Sequence, residues 1–188
     1  MGSFFTNIHA KSVDIAEVKE CLQQANFVPA YLLEDAQWTS IFPEATESQD
    51  WEILETMCED LSKSLNTSVI GAVVHDSDIL NYVIYEAGLQ ADLYDSDPGY
   101  WDGEEELPNG GNVAVLSKLS TIEIDDKELE RILRKPSSAE DEEFIFANDR
   151  WYKIARLLGI DLRFITSGFQ YLSEDPESAA NLMLVTKL

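Results

Sequence analysis

A short run near the middle of the chain constrains the fold most strongly. Residues 69–74, Val-Ile-Gly-Ala-Val-Val, are continuously apolar and rich in β-branched side chains. A run of this length and composition is typical of a strand that is buried on both of its faces. We therefore expect this strand to lie inside a sheet.

The segments around this run predict alternating strands and helices. Apolar side chains recur at steps of three and four after Asp14 and over 50–65, which predicts two helices. Further predicted strands are 4–9, 27–33, 38–42, 79–85 and 89–95. We place strand 27–33 at a sheet edge because Pro29 has no backbone N–H. The order β-α-β-β-α-β predicts an α+β, ferredoxin-like antiparallel sheet, which the last two strands extend as a hairpin.

Alternation in the last of these strands predicts which side chains share a face. Leu89, Ala91 and Leu93 are expected to point one way, and Gln90, Asp92 and Tyr94 the other.

The second half of the chain is predicted to be mainly helical. Helices are expected at 113–119, at 125–134 and at 138–158, the last capped by Ser138, with weak strand character at 162–166 and 182–186. The length of 188 residues suits one domain, or one domain with a small appendage. We expect a sheet core over 1–98 and an acidic loop with a C-terminal helical part over 99–188, packed on the same core.

Charge is distributed very unevenly along the chain. The formal net charge is −23, and residues 20–117 carry twenty acids against a single base, Lys63. Such a surface repels phosphate backbones, so nucleic-acid binding is disfavoured, whereas basic partners and cations are attracted. The alternative is that the acidity only keeps the protein soluble.

A turn after the buried strand holds a candidate metal site. His75, Asp76 and Asp78 place an imidazole and two carboxylates together, and hard cations prefer oxygen ligands. The functional interpretation is a metal-dependent hydrolase or phosphotransfer enzyme. The alternative is a turn in which Asp76, Ser77 and Asp78 hydrogen-bond their own backbone. A second metal hypothesis brings His9 close to His75, since the strands that carry them are predicted neighbours. The favoured alternative is two unrelated histidines, one exposed and one at a strand end.

Two acidic segments form a candidate partner-binding surface. Exposed aromatic rings among uncompensated acids are typical of protein interfaces, where aromatics anchor and charges steer. The residues are Glu52, Glu55, Glu59, Tyr94, Tyr100, Trp101, Glu104, Glu105 and Glu106. The alternative is a solvated loop whose aromatic rings fold back onto the core.

Several of these segments together resemble a known group of proteins. They are the turn at His75-Asp76-Ser77-Asp78-Ile79-Leu80, Tyr82, the 85–94 hairpin with Gly88, the segment Asp97-Pro98-Gly99-Tyr100 and the helix end at 151–159. This pattern resembles a family of uncharacterised bacterial proteins of similar length, over residues 4–160. The resemblance implies no activity, cofactor or binding residue.

These observations favour a non-enzymatic binding protein that engages a basic protein partner. An inhibitor or immunity protein of a basic toxin, a chaperone and an adaptor are forms of this hypothesis, and a small-molecule regulatory domain is a third alternative. No apolar run is long enough to span a membrane, and Cys21 and Cys58 lack the spacing of a disulfide framework or metal motif. We therefore expect a cytoplasmic protein that needs no cofactor. The sequence leaves a homo-oligomer open.

Overall fold

Eight strands form one antiparallel sheet that carries helices on both of its faces. The structure is a computed structural model that describes residues 2–103, 106–136 and 146–187. In chain order its strands and α-helices are β1 (Phe5–Lys11), α1 (Ile15–Gln24), β2 (Ala30–Glu34), β3 (Trp38–Pro43), α2 (Trp51–Ser64), β4 (Ser68–His75), β5 (Ile79–Glu86), β6 (Leu89–Asp95), β7 (Asn109–Gly110), α3 (Val113–Leu119), α4 (Asp126–Arg134), α5 (Ala147–Leu158), α6 (Phe169–Glu174) and β8 (Met183–Val185).

The strand order across the sheet is β7-β6-β5-β4-β1-β3-β2-β8, and every neighbouring pair is antiparallel. The predicted α+β class is confirmed. The sheet is larger than predicted, because the short strands β7 and β8 extend it at its two sides. Within the described part of the chain, no helix is long and apolar enough to cross a membrane.

Strand β4 lies in the interior of the sheet, as its apolar sequence predicts. Ile70, Ala72 and Val74 enter one hydrophobic core, whereas Val69 and Val73 enter the core on the opposite face. Both faces are therefore covered, which is why this strand lacks polar alternation.

Helices α1 and α2 cover one face of the sheet. Asp50 caps α2, because its side chain accepts hydrogen bonds from two backbone N–H groups of the first turn. Leu54 and Cys58 are fully buried against β4 at Gly71, where a Cβ would lie within 3 Å of both side chains. The missing side chain at Gly71 lets α2 lie directly on the sheet, and this contact fixes the helix over β4 and β5.

Helices α3, α4 and α5 cover the other face and share one core with the strands. Trp151 and Leu158 of α5 are buried in the same cluster as Trp38 and Tyr82 of the sheet. The indole N–H of Trp38 donates to the carbonyl of Leu158 over 3.0 Å. This hydrogen bond ties the C-terminal helical part to the sheet.

The predicted edge position of the second strand is wrong. Strand β8 pairs with β2, and Ala30 lies opposite Val185. Pro29 immediately precedes β2, so its missing N–H removes no hydrogen bond from the ladder. Its carbonyl accepts a hydrogen bond from the N–H of Glu44.

The predicted alternation in β6 is confirmed for Asp92 and Tyr94 against Leu93, but it fails at Ala91, which packs against the same cluster as Tyr94. The pairing with β5 shifts register at Ile84 and Tyr85, and such a shift interrupts the two-residue period. Asp92 and Tyr94 are buried, whereas Leu89 is 76% exposed and Leu93 is 43% exposed. Asp92 and Tyr94 therefore turn inward, whereas Gln90 and two leucines remain at the surface.

Two further predictions in the second half of the chain need correction. Residues 163–166 form turns rather than a strand, and the side-chain N–H of Asn7 donates to the carbonyl of Ile165 over 2.8 Å. Helix α5 begins at Ala147, and the predicted cap Ser138 lies outside the described residues.

Candidate functional site

A pocket of about 330 Å³ opens beside the first turn of α2. Its floor is a row of side chains on three adjacent strands, because Val73 lies opposite Asn81 and Asn81 lies opposite Asp95. Trp51 of α2 and Trp101 of the turn after β6 also line the pocket. Helix α2 covers β4 and β5 but leaves the face of β6 at Leu93 open, which creates the cleft.

His75 lies at the rim of this pocket and is held by Gln49. The Nδ1 atom of His75 lies 2.7 Å from Oε1 of Gln49. The side-chain N–H of Gln49 donates to the carbonyl of Val74 over 2.8 Å, so Oε1 is left to accept. His75 therefore donates through Nδ1, and its Nε2 atom is the one that is available for another partner.

Aromatic rings surround the His75 imidazole. The ring centroids of Phe4 and Trp101 lie 4.8 and 5.0 Å from that of His75, and the centroid of Tyr100 lies 6.3 Å away. Tyr100 and Trp101 are themselves 5.1 Å apart in an edge-to-face arrangement. These contacts hold Trp101 at the mouth of the pocket, although its side chain is 72% exposed.

Carboxylates crowd the same end of the sheet. Burial raises the pKa of the Tyr100 hydroxyl, and the charges of Asp78, Asp76 and Asp97 raise it further. Burial together with the charges of Asp95 and Asp78 also raises the pKa of the Asp97 carboxyl. The raised pKa of Asp97 means that its charged form is disfavoured at this position, and a nearby cation would favour that form.

The glutamates of α2 continue this negative surface toward β5. Glu52 and Glu59 are exposed, and Glu55 is half-buried. Burial raises the pKa of the Tyr85 hydroxyl, and the charges of Glu55 and Glu59 raise it further, so both acids lie close to that ring. The predicted glutamate stripe thus borders the same sheet face as the pocket.

Other predicted partner-binding residues fall in different places. Tyr94 is fully buried and donates to the carbonyl of Leu133 on the opposite face, so we correct its prediction as a surface residue. Glu106 is exposed. Glu104 and Glu105 lie outside the described residues.

The metal hypotheses gain no support from the structure. The residues described contain no group of three or more His, Cys, Asp or Glu side chains that could hold a metal ion. Asp76 and Ser77 adopt positive φ angles of 51° and 63° in a tight turn, and the N–H of Asp78 binds the carbonyl of His75. His75 and Asp78 therefore belong to a tight turn that is closed by a backbone hydrogen bond, and the hydroxyl of Ser77 accepts from the N–H of Ser3.

His9 does not approach His75. Although β1 and β4 are neighbours, His9 lies opposite Ile70, whereas Phe5 lies opposite Val74 at the His75 end. The imidazole of His9 is fully buried between Ser40 Oγ and Asn7 Oδ1, at 2.8 and 3.0 Å. Burial lowers its pKa to about 3, so this ring is a neutral core group.

Sequence analysis missed two polar residues of the pocket. Asn81 interrupts an otherwise apolar strand, and that interruption is the local signal that could have marked it. Gln49 has a φ of 55° immediately before the cap of α2, and nothing in its sequence neighbourhood indicates its contact with His75.

Comparison with known proteins leaves the site to be interpreted from its own geometry. We found no protein-family model, curated protein or solved structure with a significant match to the chain.

Proposed function

We propose that the protein is a non-enzymatic binding module that engages a basic protein through one acidic and aromatic face. This acidic–aromatic face consists of Glu52, Glu55, Glu59, Leu93, Asp95, Tyr100 and Trp101. The observation that carries the proposal is an open pocket with aromatic walls and a carboxylate rim.

The electrostatics of the face favour a cationic partner. Lys63 is the single base among residues 20–117, and its alkyl chain lies beneath Gly88 at the far end of α2. Uncompensated charge of one sign raises association rates with an oppositely charged surface and suppresses binding of similarly charged ones. The same field repels nucleic acid, which supports a protein rather than a nucleic-acid partner.

Apolar groups on the face supply the short-range part of binding. Trp101 and Leu93 of this face are exposed. Interfaces draw most of their affinity from a few aromatic or apolar anchors that become buried, whereas rim charges mainly set specificity and rate. An inhibitor, immunity or chaperone-like role is the form of binding that fits this combination.

Capture of partners from the native host tests the proposal. The parent protein and the variant Glu52→Lys/Glu55→Lys/Glu59→Lys are immobilised and washed at low and at high salt. We expect the parent to retain a basic protein at low salt and release it at high salt, because exposed charge pairs are screened. The reversed variant should not retain it.

A matched control separates the face from net charge. Glu34, Glu123 and Glu177 are exposed acids that lie outside α2, β5 and β6. Reversal of these three to lysine changes the net charge equally and should leave capture intact. Equal capture by the parent and both variants would rule out the acidic–aromatic face.

The fold description and the compartment are proposals of the same kind. We propose a ferredoxin-like relationship for the first six elements, supported by their β-α-β-β-α-β order and by the neighbours β4-β1-β3-β2. We also propose a cytoplasmic location, supported by the two free thiols, of which Cys58 is buried.

A further inference from the structure

The walls of the pocket beside α2 offer hydrogen-bond acceptors. Asp95 uses Oδ1 to accept from the N–H of Asp97 over 2.9 Å, and its second carboxylate oxygen makes no hydrogen bond with any residue that the structure describes. The side chain of Asn81, which lies opposite Asp95, likewise has no partner within the described ranges. The pocket therefore holds unused acceptors at its floor.

Aromatic faces complete the pocket on its open side. Trp101 and Trp51 line it together with the edge of His75. A cation over a tryptophan face is attracted by the ring quadrupole, and the attraction strengthens as water is excluded. A cation in this pocket would meet indole rings and a carboxylate at the same time.

The chemistry of the walls selects among possible occupants. An anion would be repelled by Asp95 and its neighbours Asp97 and Asp78. A guanidinium group is planar, presents five N–H donors in a fixed fork and loses less hydration than an ammonium group when it stacks on an aromatic ring. The volume of about 330 Å³ suits a single long side chain better than a large cofactor.

We infer that this pocket is the anchor site for an arginine side chain of the basic partner, with its guanidinium group bound by Asp95 and stacked on Trp101. This inference rests on the proposed function, because it names the group through which the partner is held. The pocket opens onto the acidic–aromatic face, so an arginine that projects from a basic surface enters it while the α2 glutamates face the surrounding charges.

Titration with capped amino acids tests the inference without the partner. N-acetylarginine amide is added to the full chain, and the indole N–H signals of Trp51 and Trp101 are followed by NMR. We expect saturable shifts in the millimolar range for the arginine compound, weaker shifts for N-acetyllysine amide and none for N-acetylcitrulline amide, a neutral isostere of arginine. Absence of saturable shifts, or equal shifts with citrulline, would overturn the inference.

Variants locate the binding group. Asp95→Asn should weaken binding of the arginine amide about tenfold, because it removes a charge-assisted hydrogen bond, and Trp101→Ala should weaken it about fivefold. Asp102→Asn is the matched control, since Asp102 is an exposed neighbour that does not line the pocket. Equal affinities of the Asp95 and Asp102 variants would place the cation elsewhere.

Two comparisons separate this inference from the proposed function. If the capped arginine does not bind while capture still depends on Glu52, Glu55 and Glu59, only the pocket assignment fails. If free arginine binds more tightly than the capped amide, the occupant is a free amino acid and the assignment to a partner side chain is wrong.

Discussion

The side chain of Gln49 joins His75 to the backbone of Val74, with contacts of 2.7 and 2.8 Å. Gln49 immediately precedes Asp50, the cap of α2. One side chain thus couples the start of the helix to the end of the central strand. This coupling sets the position of Trp51, the first residue of α2, over the pocket.

The Gln49 contacts should have a measurable effect on stability. Gln49→Ala removes three partly buried hydrogen bonds, with His75, Val74 and Phe5, and leaves the Val74 carbonyl without that donor, so we expect a loss of about 1–3 kcal/mol in the free energy of unfolding. Urea denaturation measures it. Gln24→Ala, which removes an exposed contact with Glu20, should cost less than about 0.5 kcal/mol. Similar losses for the two variants would contradict the role of Gln49.

Burial of His9 should make the protein less stable in mild acid. Its folded pKa of about 3 lies below the unfolded value of about 6.5, so the unfolded chain binds more protons in this range. The stability present above pH 6.5 is therefore lost as pH falls from about 6.5 to about 3, by up to about 1.4 kcal/mol per pH unit. Denaturant titrations at several pH values measure this slope.

Comparison with His9→Gln isolates the contribution of that imidazole. Carboxylates contribute equally to both proteins, so the difference between the two slopes belongs to His9. We expect the variant to be less stable at neutral pH and to have a flatter dependence between pH 6.5 and 3. Parallel curves would show that His9 is not the group responsible.

Two glycines with the same backbone conformation should differ in their tolerance of alanine. Gly110 and Gly103 have φ angles of 72° and 70°, so alanine carries the same left-handed penalty of about 1–2 kcal/mol at both. A Cβ at Gly110 would collide with the carbonyl oxygen of Leu93, whereas one at Gly103 meets no atom of the described residues within 4 Å. We therefore expect Gly110→Ala to destabilise the protein by about 3 kcal/mol or more. Gly103→Ala should cost only the left-handed penalty of about 1–2 kcal/mol. Thermal or urea unfolding of both variants measures the difference, and equal losses would mean that β7 does not lie against β6 as described.

The charge of the α2 glutamates should be visible at Tyr85. Because Glu55 and Glu59 raise the pKa of its hydroxyl in addition to burial, Glu55→Gln/Glu59→Gln should lower that pKa, and added salt should lower it in the parent. NMR titration of the Tyr85 ring reports the change. Glu17→Gln/Glu20→Gln on α1 alters net charge equally and should leave it unchanged. An unaltered Tyr85 pKa in the first variant would place the stripe away from β5.

Local patterns were sufficient to predict the elements that carry strong periodicity. Helix α2 was predicted over 50–65 and spans Trp51–Ser64, and β4 was predicted over 69–74 and spans Ser68–His75. In α2 the helical spacing of apolar residues indicates one buried face, and in β4 the continuous apolar run indicates two buried faces. The strand predicted at 162–166 is wrong because apolar residues can also be buried when they lie in turns, as Ile165 is here.

The pocket could not be predicted in the same way. Its floor depends on the register among β4, β5 and β6, which brings Val73, Asn81 and Asp95 into one row. Register is determined by pairing across the sheet, and no segment taken alone encodes it. Sequence analysis could identify Trp101 and the α2 glutamates as unusual, but only the folded sheet places them beside Asn81.

The interrupted pairing of β6 has a consequence for association between copies of the protein. The two-residue strand β7 pairs with Tyr94 and Asp95, so the start of β6 forms an open side of the sheet among the described residues. A register shift and an inward-pointing acid, here Asp92, are two devices by which sheet proteins prevent another strand from adding to an open edge. The irregularity of this strand thus protects an eight-stranded sheet against edge-to-edge aggregation.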